Sequence, residues 1–273
     1  MATVPHFDAS QIEASSKAYL DKHKIEIYLQ DALSRLLDDR PEKPAKFLSE
    51  YFSSVHRGIN TLLREYEYVR VTKQNRSAFI DRVADVIPNR SSTHTAPEYH
   101  HLIELLCPDF PLSIIHRATE IAAHIDYKKA YRPHELLRYK IPAGRFLGAF
   151  RAYFTYIDFF EHAHIAIRKA ALKSSGASAH ADESVDEVVC KTYSSREVVA
   201  LGVGIVDAVR SLLDGEDVEF DIPPTLRVEC ALTTFKEQLQ QLRDVTVGDA
   251  FMLFLVTFAQ APEERTVVAD RGV

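Results

Sequence analysis

Along this chain the apolar positions recur at intervals of three and four, and no run alternates cleanly with a period of two. That is the spacing of helices with one face turned inward, so the chain reads as all-α. A first helix is expected from about Ala18 to Asp38, with Ile25, Leu29, Ala32, Leu33, Leu36 and Leu37 covering roughly 140° of a helical wheel. Pro41 stops it. A second helix begins near Pro44, where a missing N–H costs nothing. Its stripe runs through Phe47, Leu48, Tyr51, Phe52, Val55, Ile59, Leu62, Leu63, Tyr66 and Val69, in phase across Gly58.

Downstream, helices are expected at 77–87, at 97–107 and through a segment entered at Pro111. Pro142 opens a long central helix, carrying Phe146, Phe150, Phe154, Ile157, Phe160 and Ile167 to about Lys173. Three more follow, at 195–213, 225–242 and 246–260, the last with Thr246 as its cap. The stretch 88–97 reads as a loop, and SSGASAHADES at 174–184 as a flexible linker. Residues 1–17 and 262–273 are expected to be a disordered leader and tail. The organisation is therefore a helical hairpin over 18–70 followed by a multi-helix domain over 77–261.

A two-helix hairpin of this size does not close a core alone. Each of its helices carries a stripe wider than one antiparallel neighbour covers, and the surplus has to face something. A second hairpin would complete a dimeric four-helix bundle with an isologous interface. Such a bundle leaves an apolar groove suited to an amphipathic partner helix. The residues that would form it are Ile25, Leu29, Leu33, Leu36, Leu37, Pro41, Pro44, Phe47, Leu48, Tyr51 and Phe52. The alternative is that the hairpin packs on the rest of its own chain.

Composition narrows the function classes. Hydrophobic residues make up 46% and charged residues 26% of the 273, as in an ordinary globular protein. The formal net charge of -6 argues against a dedicated nucleic-acid binder. Cys107, Cys190 and Cys230 lie far apart without metal-type spacing, which suggests a reducing compartment. The most apolar run, AFMLFLVTFA at 250–259, is about half of what a membrane span needs, and MATVPHFDASQIEASSK holds no signal-peptide core. A soluble, cytoplasmic protein is expected.

Two Glu-x-x-His pairs, Glu98/His101 and Glu161/His164, together with Glu65 and Glu120, imitate the ligand order of a di-iron carboxylate bundle. Against that reading, Glu98 sits at the start of a short helix, whereas such a site draws its ligands from the middle of long parallel ones. The pairs His162/His164 and His100/His101 are splayed around their helices and cannot share a ligand. Gly202-x-Gly204 lies within a helix with no strand before it, so close helix packing is expected in place of a dinucleotide site. The segment DFPLSIIHRATEIA around Asp109 lacks the oxygen ligands of a calcium hand. No nucleophile elbow or phosphate loop is present. No cofactor is implied, and no enzyme is expected.

One charge feature stands apart. Lys128, Lys129, Arg132, Arg138, Lys140, Arg145 and Arg151 face the single acid Glu135, with Tyr127, Tyr131 and Tyr139 between them. In an acidic chain this is a local positive patch, suited to an acidic partner or to pairing with segments such as DGEDVEFD at 214–221.

The stretch IEIYLQDALSRLLDDRPEKPAKFLSEYF, 25–52, resembles the dimerisation/docking module of the type-II regulatory subunits of cyclic-AMP-dependent protein kinase. Leu29, Leu37, Pro41, Phe47 and the Tyr51-Phe52 pair carry the likeness. The Arg40-Pro41-x-x-Pro44 turn followed by Phe47 is more similar still to the subunit 1 family of the tubulin polyglutamylase complex. Tyr99 with Leu102 to Leu106 and Cys107, the segment 141–163 and the segment 245–261 resemble later helices of that family. The resemblance implies a non-catalytic scaffold subunit that forms a homodimer or heterodimer through its hairpin and docks a partner helix. It also implies tubulin or a tubulin-tyrosine-ligase-like enzyme as partners, and a cytoskeletal location at a cilium, flagellum or basal body. A structural axonemal component is the alternative, and a helical di-metal enzyme a more distant one.

Overall fold

The computed structural model describes residues 16–17, 19–20, 23–57, 61–87, 89–124, 138–174, 192–214 and 220–262. They form an all-α fold in two compact units. One takes the described residues up to Val86 together with His101–Phe110; the other takes Ile87–His100 and the described residues from Pro111 onward.

The first unit opens with α1 (Ile25–Asp39) and α2 (Pro44–His56). Arg40 ends α1 in the left-handed region, at φ 43°, with its N–H on the Leu36 carbonyl at 3.1 Å. Pro41 reinforces that stop, because a residue preceding proline is disfavoured in the right-handed helical region. Pro44 then occupies the first turn of α2. Next come α3 (Tyr66–Arg70) and α4 (Lys73–Val86); α1 packs on α2 and α3, and α3 on α4.

Here the structure corrects an expectation, since the second helix does not continue to Val69. It ends at His56, and the described residues 61–65 are not helical. Leu63 takes φ 54°, and its N–H donates to the Leu106 carbonyl at 2.7 Å. The burial order explains why. Leu62 and Leu63 stay exposed while Thr61 and Arg64 are buried, so tertiary demand at Arg64 overrides the continuing apolar period. Tyr66, Val69, Phe79, Ile80, Val83, Ile103, Cys107 and Phe110 form the apolar interior. The Asp109 carboxylate is committed there, accepting the Tyr66 N–H at 2.9 and 3.1 Å and the Cys107 Sγ–H at 3.3 Å. Burial first, and then that carboxylate, push the Cys107 thiol up to about 12.

The second unit contains the strands β1 (Thr93–His94) and β2 (Ile141–Pro142), paired antiparallel with Thr93 opposite Pro142 and His94 opposite Ile141. Two residues are too few to show an alternating pattern, so this ribbon was not expected. The helix α5 (Ala96–Glu104) opens in this unit, and α6 (Leu112–His124) follows. The long central helix is in fact two, α7 (Ala143–Thr155) and α8 (Ile157–Ser174). Tyr156, at φ -121° and ψ 34°, interrupts it without disturbing the apolar phase, so Phe154 and Phe160 are both buried.

The last three helices are α9 (Ser195–Leu213), α10 (Thr225–Leu239) and α11 (Val247–Gln260). The expected cap of α11 is present: Thr246 Oγ1 accepts the Asp249 N–H at 3.1 Å, and Asp249 accepts the Thr246 N–H at 3.0 Å. Helix α11 is the centre of this unit, packing on α6, α7, α8 and α10. Phe254 and Phe258 are fully buried and meet Phe160 at 6.1 and 5.0 Å between ring centroids. The glycine pair of α9 serves close packing, as expected. A Cβ on Gly202 would lie 3.0 Å from Leu239 of α10, and one on Gly204 3.7 Å from Ala170 of α8. Among the described residues no helix is long and apolar enough to cross a membrane.

Candidate docking surface

At 100° per residue, Leu29, Leu33 and Leu37 stand on one line of α1, while Tyr28, Asp31 and Arg35 stand about 140–160° away from Leu33. Only the second face is covered. Leu29, Leu33 and Leu37 are 42%, 55% and 69% exposed, and Phe52 on α2 is 39% exposed. Ala32 and Tyr51 are the buried residues of α1 and α2, whereas Ile25, Leu36, Pro41, Phe47 and Leu48 are half-buried and Pro44 is exposed. Residues Ser49, Phe52, Ser53, His56 and Arg57 line a shallow depression on α2. An apolar line this exposed on a helix that is anchored by its opposite side suits protein contact.

The anchor is a polar cluster that the sequence reading missed. Arg64, with a side chain only 3% exposed, forms an ion pair with Asp31. Tyr51 donates its hydroxyl to the other Asp31 oxygen at 2.5 Å, and Arg35 Nε lies 3.5 Å from the carboxylate. The Arg64 guanidinium also lies 4.9 Å from the Tyr68 ring centre. Asn75 then bonds the Tyr28 hydroxyl at 3.2 Å and the Tyr68 carbonyl at 2.8 Å. Burial, followed by the Asp31 carboxylate, raises the Tyr51 hydroxyl far above the ordinary phenol value. Tyr68 is pushed up to about 12, again first by burial. Both phenols stay protonated, and Tyr51 acts as a donor to Asp31. The available signal was the four tyrosines at 28, 51, 66 and 68 flanking a single mid-helix acid, Asp31.

Of the basic patch, Lys128, Lys129 and Arg132 lie outside the described residues. Arg138, Lys140 and Arg145 are exposed and Arg151 half-buried. Arg90, just before β1, lies beside the patch, its carbonyl accepting the Gly144 N–H at 2.9 Å. Of the complementary acidic segment, 215–219 also lie outside the described residues, as does most of the linker 174–184.

The Glu-x-x-His residues have other employment. Glu98 caps α5, accepting the Thr95 N–H at 2.7 Å, which lowers its carboxyl pKa. His101 is exposed, 3.8 Å from Glu104. Glu120 accepts from Arg117 at 2.9 Å. His164 stacks on Phe251 at 4.5 Å, and burial, then Arg168 and Arg117, lower its pKa. Among the described residues no three His, Cys, Asp or Glu side chains converge as metal ligands.

Residues 13–58, which contain α1 and α2, match the family model of the CSTPP1 N-terminal domain. The chain is CSTPP1-like. It is 30% identical over 206 residues to the rat protein named centriolar satellite-associated tubulin polyglutamylase complex regulator 1, covering 71% of this chain and 57% of the relative. Against the Pongo abelii protein of that name it is 29% identical over 230 residues, 79% of this chain and 65% of the relative. The human one is 32% identical over 150 residues, 52% of this chain and 43% of the relative. This CSTPP1-like chain therefore spans between 43% and 65% of the length of these relatives. The expected kinship with a tubulin polyglutamylase complex protein is borne out, with relatives named as a regulator of that complex. No solved structure matches the chain.

Proposed function

We propose that this chain is a non-catalytic regulatory subunit of a tubulin polyglutamylase complex, acting through a hairpin module over 18–70 that self-associates and docks an amphipathic helix of a partner. The observation carrying this reading is the exposed line of Leu29, Leu33 and Leu37 on a helix whose opposite face is anchored. The names of the relatives supply the complex, and their centriolar satellite label supports a cytoskeletal location near the basal body. The ligase chemistry is assigned to another subunit, a tubulin-tyrosine-ligase-like enzyme. The patch of Arg138, Lys140, Arg145 and Arg151 would attract acidic tubulin tails, with an affinity that falls as salt rises.

Sedimentation of the full chain across micromolar concentrations tests the hairpin. The wild type should self-associate, and Leu37→Asp should not, because a charge cannot be buried cheaply in the seam. A wild type that stays monomeric throughout would overturn the self-association. Affinity purification from ciliated cells tests the complex: recovery of a tubulin-tyrosine-ligase-like enzyme is expected, and its absence would remove the glutamylase assignment.

A further inference from the structure

We propose that the hairpin pairs with a second copy of this chain through an antiparallel α1–α1 seam centred on Leu33, with a Glu26–Arg40 ion pair between copies at each end. The proposal rests on the self-association above and names its partner and register. Its basis is the symmetry of the exposed face. Counting from Leu33, the exposed leucines fall at minus four and plus four, and Glu26 and Arg40 at minus seven and plus seven. Seven residues are within about 20° of two whole turns, so Glu26 lies on the line of the leucines about 10 Å from Leu33 along the axis, and Arg40, the left-handed C-cap, closes the other end of α1 at the same distance in sequence.

Antiparallel superposition about that centre sets Leu33 against Leu33, Leu29 against Leu37 and Glu26 against Arg40. Each of the last two contacts occurs twice. A parallel seam would instead put Glu26 against Glu26 and Arg40 against Arg40 at every level. A heterologous apolar helix would leave both charges without the partner that this symmetry supplies. Glu26 and Arg40 are both exposed, and their side-chain bonds are local: Glu26 accepts from Gln30 at 3.2 Å, and Arg40 Nε donates to the Leu37 carbonyl at 3.2 Å. The Arg40 bond uses one of five guanidinium N–H groups, so a carboxylate can still be held by the terminal nitrogens.

The test uses full-length Glu26→Arg and Arg40→Glu chains, each alone and mixed one to one, in sedimentation equilibrium at low salt. Each variant alone places like charges at both ends and should weaken self-association by roughly tenfold. The mixture makes both ends complementary again and should assemble about as tightly as wild type. Rescue on mixing also shows that neither variant failed to fold. A mixture no tighter than its components overturns the seam, as does either variant associating like wild type. Wild-type self-association that both charge variants retain removes only this register. A monomeric wild type removes the self-association along with it.

Discussion

Helices α1 and α11 carry apolar stripes of the same helical period, and the two stripes meet opposite fates. In α11, Phe254, Leu255, Val256 and Phe258 are sealed by four neighbouring helices. In α1, Leu29, Leu33 and Leu37 are left uncovered, and the covered side combines Ala32, Tyr28 and Leu36 with the polar anchor on Asp31. Periodicity reports that a stripe needs cover; it does not say whether the same chain provides it. A surface helix of a globular protein ordinarily turns its leucines inward, whereas α1 leaves three of its four leucines exposed.

That contrast can be broken by mutation, and the largest effect belongs to the covered stripe. Phe254→Ala should cost about 3–5 kcal/mol of stability in denaturant unfolding, through lost transfer energy and an unfilled cavity. Next comes the polar anchor. Arg64→Met removes one member of the pair and leaves Asp31 without its buried partner, at a cost of about 3 kcal/mol. Retained stability in that variant would mean that the cluster does not hold α1. Leu37→Asp should change the stability of the dilute chain by no more than about 0.5 kcal/mol, while association is lost. A large loss of stability in that variant would show that the α1 stripe is core after all.

The smallest effect concerns pH. Burial and two arginines lower the His164 pKa below its ordinary 6.5. The unfolded chain therefore takes up this proton first, and the stabilisation present above that value is lost as pH falls through it. Unfolding followed from about pH 7 to about 5 should show a slope that His164→Gln reduces. An unchanged slope would assign the acid sensitivity to other groups.

Much of the helix order was legible from spacing, because Pro44, Pro142 and the Thr246 cap act locally and their consequences appear in the chain itself. The limits of α9 at 195–213 are those expected. What could not be read was set by partners distant in sequence. The non-helical segment at 61–65 answers to Arg64 meeting Asp31, 33 positions earlier. The break at Tyr156 leaves the apolar phase intact and so is invisible to a periodicity argument. The β1–β2 ribbon joins residues nearly fifty apart, with too few positions to alternate. On the candidate surface the leucine line was legible. Its polar anchor was not, because an acid in mid-helix looks like a solvated residue until its arginine is found.

The Asp31–Arg64–Tyr51 cluster also bears on how such a surface changes over generations. Since it fastens α1 from behind, substitutions along the leucine line are released from the duty of maintaining the fold. A few outward side chains can therefore change the character of this surface while the hairpin beneath stays as it is.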